Sequence, residues 1–124
     1  MKEIKAFIRG HRIADVIAAL KEIGHCNLDE KSGCRNLSIF AVKRVLKAVD
    51  AQEQHYSLEL GQEVINEFKL ELLCEDQQVD ELIEIIQAAG HTGQSDAGWV
   101  YVTDILKAVP IGDREAQKGL GDHA

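Results

Sequence analysis

At 124 residues, 45% of them hydrophobic and one of them proline, the chain has the length and composition of a single globular domain. A domain of that size buries roughly two thirds of its unfolded surface. A net charge of −7 argues against a nucleic-acid or anionic-membrane surface, and no apolar run approaches the roughly 18 residues of a membrane-spanning helix.

Residues 2–8 alternate, with Ile4, Ala6 and Ile8 on one side and Phe7 on the other, which predicts a strand. Gly10 and His11 turn the chain, and Ile13, Val16, Ile17 and Leu20 then recur at helical spacing up to a closing Gly24. Leu70, Leu72 and Cys74 repeat the strand over residues 68–74. Val79, Leu82, Ile83 and Ile86 repeat the helical stripe, closed by Gly90.

The two segments are related by one constant shift. It pairs Ile4 with Leu70, Ala6 with Leu72, Val16 with Leu82, Leu20 with Ile86, and Gly24-His25 with Gly90-His91. A second shift lays Val45-Leu46-Lys47-Ala48-Val49 on Ile105-Leu106-Lys107-Ala108-Val109. Each half therefore reads strand, helix, strand, an internal duplication with a short insertion after the first helix. Two βαβ units of this length predict an α+β, ferredoxin-like fold: a four-stranded antiparallel sheet with both helices on one face. Phe7, Phe40, Leu73 and Tyr101 make the other face partly apolar, which points to oligomerisation.

Three segments fall outside the duplication. His25, Cys26 and Cys34 share the polar loop after the first helix. Imidazole and thiolate together suit zinc or another transition metal, although the spacing matches no common structural zinc pattern. A metal-sensing or metal-handling protein, with His55 as a further ligand candidate, is the alternative reading of the chain. The second segment joins the halves and holds His55, Tyr56, Gly61 and Glu63. The third is the tail from Gly112, whose glycines and charges suggest a flexible end over residues 112–124. Glu53, Glu59, Glu63, Glu67, Glu71 and Glu75 read as an exposed acidic face.

The loop Thr92-Gly93-Gln94-Ser95-Asp96-Ala97-Gly98 joins the second helix to a β-rich run from Trp99. Its glycines permit close backbone approach to a ligand, and its hydroxyls add donors. No nucleophile elbow, Walker lysine or paired catalytic carboxylates accompany it, so the sequence is read as that of a non-enzyme. Three cysteines, an odd number without framework spacing, and an N-terminus without a signal-peptide core are expected of a cytoplasmic protein with reduced thiols.

This duplicated chain, with Thr-Gly-x-x-(Gly/Asp)-x-Gly after its second helix, resembles the P-II signal-transduction family. Phe68-Lys69-Leu70-Glu71-Leu72-Leu73-Cys74-Glu75-Asp76 is similar to the family's third strand and the helix start behind it. His55, Gly61 and Glu63 resemble a His…Gly-x-Glu pattern at the end of its long T-loop. The resemblance implies a domain over residues 1–111 with a T-loop-like connection at about 43–63. It implies a cytoplasmic homotrimer without catalysis of its own, with no nucleic-acid partner and no membrane insertion. A small effector, in the family an adenine nucleotide, would lie at subunit clefts on Thr92, Gly93, Gln94, Ser95, Asp96, Ala97 and Gly98. The loop around His55, Tyr56, Gly61 and Glu63 would dock on a target enzyme, transporter or regulator. The sequence departs from the family where charge matters: the expected lysines fall at Gln94 and Trp99, and the expected arginines at Pro110 and Gly112.

Overall fold

The computed structural model describes residues 1–22, 35–45, 51–94 and 97–112. In chain order the elements are β1 (Lys2–Arg9), α1 (Ile13–Glu22), β2 (Arg35–Arg44), β3 (Gln54–Ser57), β4 (Gln62–Cys74), α2 (Val79–Gly90) and β5 (Trp99–Asp104). Single 3₁₀ turns, Ala51–Glu53 and Asp76–Gln78, precede β3 and α2. The sheet is antiparallel throughout, in the order β2-β4-β1-β5 with β3 paired to β4. Without β3 this is the ferredoxin-like order that two βαβ units produce.

The core contains the residues that the duplication pairs. Ile4, Ala6 and Ile8 of β1, with Leu70, Leu72 and Cys74 of β4, face Val16 and Leu20 of α1 and Leu82 and Ile86 of α2. Each of these side chains is almost wholly withdrawn from water. Full burial of a Leu or Ile is worth about 1.5–3 kcal/mol, so this one layer carries most of the hydrophobic stabilisation. Because side chains alternate along a strand, the odd-numbered residues of β1, β4 and β5 lie on the helix-free face. There the rings of Phe7 and Tyr101 sit 6.0 Å apart and the Arg44 guanidinium lies 3.9 Å over the Phe7 ring.

Three expectations need correction. The sheet has five strands, because the connection between the halves contains β3, a four-residue polar strand (Gln-His-Tyr-Ser) too short to show a period. Ile65 is partnered by both Arg44 of β2 and Gln54 of β3, so those strands flank it on opposite sides. β3 therefore continues the line of β1, whose own pairing with β4 ends at Arg9 and Glu67. Gly90 does not close α2 through a left-handed turn: it is the last helical residue, and His91 leaves in an extended conformation (φ −64°, ψ 132°). A Cβ at Gly90 would make an ordinary van der Waals contact with Val16 at 3.5 Å, so neither backbone conformation nor helix packing requires glycine there. Finally, the acidic run is not one exposed face, since Glu67 is 1% exposed.

Candidate functional site

The loop after α2 is shaped by its own hydrogen bonds. Thr92 Oγ1 accepts from the Gln94 amide at 3.3 Å, and the Ala97 amide donates to the Gln94 carbonyl at 3.3 Å. Gly93 (φ 88°) and Gly98 (φ 92°) adopt conformations that side chains resist. Gly98 has a second constraint: a Cβ there would stand 3.0 Å from the Phe7 carbonyl oxygen. The glycine thus lets the loop enter β5 directly beside β1, where Phe7 and Trp99 are register partners.

Between this loop, α2 and the β1–β5 edge lies a cleft of about 230 Å³. Phe7 and Ile8 line it from β1, and Trp99 and Val100 from β5. α2 contributes Ile86, Gln87 and Gly90, and the loop His91, Gln94, Ala97 and Gly98. Of the seven residues singled out from the sequence, Gln94, Ala97 and Gly98 face the cleft, and Thr92 and Gly93 set the turn beside it. Ser95 and Asp96 lie outside the described residues. The strand and helix walls were not found from the sequence. Their signal was present in the single turn separating Ile86 from Gly90, but it becomes a wall only once β1 and β5 are known to be neighbours.

The second set of candidates converges on one hairpin. Tyr56 stands opposite Glu63, and His55 opposite Val64. Gly61, at φ 65°, closes the turn by donating its amide to the Ser57 carbonyl at 2.8 Å. The buried Ser57 hydroxyl accepts from the Leu60 amide at 3.2 Å, a local bond that serine commonly makes in turns. His55, Tyr56, Gly61 and Glu63 are all exposed. Lys43, at the end of β2, reaches Glu59 in the turn at 3.9 Å.

A buried charge cluster that sequence reasoning missed underlies the hairpin. Glu67 Oε1 accepts from Arg44 Nη1 at 3.2 Å, and Glu67 Oε2 lies 3.1 Å from Arg9 Nη1. Arg9, itself 5% exposed, also stands 3.7 Å from Glu53 through its Nε. Two guanidiniums and two carboxylates balance in charge, which a buried carboxylate requires. The only hint in the sequence was parity: Glu67 alternates with inward-facing Leu70 and Leu72, hence points to the face where β1 and β2 present arginines.

His25, Cys26 and Cys34 fall outside the described residues. Among the described residues, no group of three or more His, Cys, Asp or Glu side chains is arranged to hold a metal ion. Cys74 sits in the core, where burial pushes its thiol above its ordinary pKa, with the Glu75 carboxylate adding to the effect. It behaves there as a small apolar side chain. Among the described residues no helix is long and apolar enough to cross a membrane.

No protein-family model matches the chain. Individual relatives do. The chain is 31% identical over 123 residues to the nitrogen regulatory protein P-II of Azospirillum brasilense, covering 96% of each. Identity, length and coverage are the same for the nitrogen regulatory protein P-II of Rhodospirillum rubrum. To the nitrogen regulatory protein GlnK of Escherichia coli it is 25% identical over 118 residues, 95% of this chain and 97% of the relative. These are names of regulators and not of enzymes, and they match the expectation drawn from the glycine loop and the duplicated fold. On identity at that level over nearly its whole length, the chain belongs to the P-II family of nitrogen-regulatory signal-transduction proteins.

Proposed function

We propose that this regulator is a cytoplasmic homotrimer that binds a small effector of the adenine-nucleotide class in the cleft beside residues 91–98. In this reading it controls a target enzyme, transporter or regulator through the connection at 43–63. The observation that carries it is the cleft itself, bordered by the loop where the positive-φ Gly98 runs close to the Phe7 carbonyl. A concave hollow that brings a few polar side chains together beside apolar ones is the usual form of a small-molecule site. The helix-free face supports assembly with further copies, since Phe40, Trp99 and Tyr101 keep 46%, 64% and 43% of their surfaces exposed. The hairpin carrying His55 and Tyr56 supports the docking role, being exposed on its outer side and anchored to the sheet on its inner side. Effector binding would act by population shift, favouring one of two loop arrangements that differ in affinity for the target.

Calorimetric titration of adenosine, its phosphates and zinc against the untagged chain, with sedimentation to read its mass, tests this reading. At least one adenine compound should bind, and binding should weaken at least tenfold in Gly93→Glu, which places a carboxylate beside the cleft. A silent adenine panel would overturn the effector site, a monomer in sedimentation would overturn the trimer, and zinc binding alone would favour the metal-handling alternative.

A further inference from the structure

The cleft carries information about the charge of what it accepts. Its described lining includes no Asp, Glu, Lys or Arg: it offers Trp99, the aliphatic side chains of Ile8, Ile86 and Val100, and the polar side chains of Gln87, Gln94 and His91. The cations of the neighbouring strands already face carboxylates. Arg9 and Arg44 converge on Glu67, Lys5 lies 3.5 Å from Glu3, and Lys69 lies 2.9 Å from Glu71. Two amides of the glycine loop are also committed, that of Gln94 to Thr92 Oγ1 and that of Ala97 to the Gln94 carbonyl. A loop that cradles phosphates needs such amides pointed at the ligand. The remaining loop residues, Ser95 and Asp96, add no cation by identity, and the chain as a whole is at −7.

From these observations, and resting on the effector reading above, we propose that the cleft selects a nucleoside carrying at most one phosphate and discriminates against a polyphosphate. The flat base is held by apolar and aromatic walls, and its hydrogen-bonding edge is met by the Gln87 and Gln94 amides and the His91 imidazole. A triphosphate would bring several negative charges to a place where the described cations of the neighbouring strands already face carboxylates. Its desolvation would go uncompensated. Gln94 is the pivotal residue: it is the cleft-lining loop position where a cation would reach an anionic tail without disturbing the walls.

The test is parallel titration of adenosine, adenosine monophosphate and magnesium–ATP against the intact wild-type protein and Gln94→Lys, with Trp99 fluorescence as a second readout. It is the chain's one tryptophan, and it lines the cleft. The wild type should bind adenosine or the monophosphate at least tenfold more tightly than ATP, and Gln94→Lys should narrow that gap at least threefold. ATP binding as tight as adenosine in the wild type, or a gap unchanged in Gln94→Lys, would overturn the charge selection while leaving the effector site in place. If none of the three binds, the effector site and the selection fall together.

Discussion

Arg9 of β1 and Glu67 of β4 are register partners across the sheet, and their charged groups lie 3.1 Å apart with both residues out of solvent. The pair ties the end of β1 to β4 at the point where β3 takes over as the neighbour of β4, so it sits at the junction of the ferredoxin-like core and the hairpin.

Removing one half of that pair should be costly. Glu67→Gln leaves the Arg9 and Arg44 guanidiniums without their shared counter-charge, and stability measured by urea unfolding should fall by about 3–5 kcal/mol. Glu63→Gln, four positions earlier on the same strand but exposed, should stay within about 0.5 kcal/mol of wild type. Equal losses in the two variants would refute the assignment of a buried cluster.

The 3.7 Å contact between Glu53 and Arg9 is looser, and it lies next to β3. Glu53→Gln should speed amide hydrogen exchange over Gln54–Ser57 and leave exchange in the α1–α2 layer unaltered. Uniform acceleration across the chain would mean that Glu53 supports the whole fold and not the hairpin.

The two loop glycines should respond differently to alanine. Gly93 has no atom within 4 Å of its Cβ position, so Gly93→Ala should cost only the left-handed backbone penalty, about 1–2 kcal/mol. Gly98→Ala adds a 3.0 Å approach to the Phe7 carbonyl. It should be the more destabilising of the two and should also weaken effector binding by displacing the start of β5. Thermal unfolding of both variants decides the order.

Cys74 sets an alkaline limit. Its folded thiol is raised above the ordinary value of 9.0 by burial. The folded state then holds the proton more strongly than the unfolded one. The resulting stability is complete below the unfolded pKa and is lost as pH climbs past 9 toward the folded value. In Cys74→Ala this part of the alkaline decline should disappear, against a roughly constant packing loss across the pH range. An unchanged decline would show that the thiol does not titrate with unfolding.

Much of this architecture could be read before any coordinates. Period-two alternation in β1 and β4 and 3.6-residue spacing in α1 and α2 are local patterns, and the duplication doubles each signal. The four most buried helix positions (Val16, Leu20, Leu82 and Ile86) were all marked by it. Glycines at 93 and 98 were equally visible, because left-handed backbone nearly always selects glycine. β3 was not, since four polar residues carry no period and its pairing depends on Gly61 and on β4 lying alongside.

The amino-acid sequence alone determined the fold class, the inward faces of the strands and helices, and the position of the glycine loop, because each follows from spacing along the chain. It left open which charges would meet and which walls would enclose the loop. Glu67 looks like one more surface acid until strand register sets it between Arg9 and Arg44. Gln94 looks like a neutral loop residue until the Phe7–Trp99 pairing makes it part of a cleft. Those outcomes belong to the tertiary structure, since charge compensation and enclosure depend on distances between residues far apart in the chain.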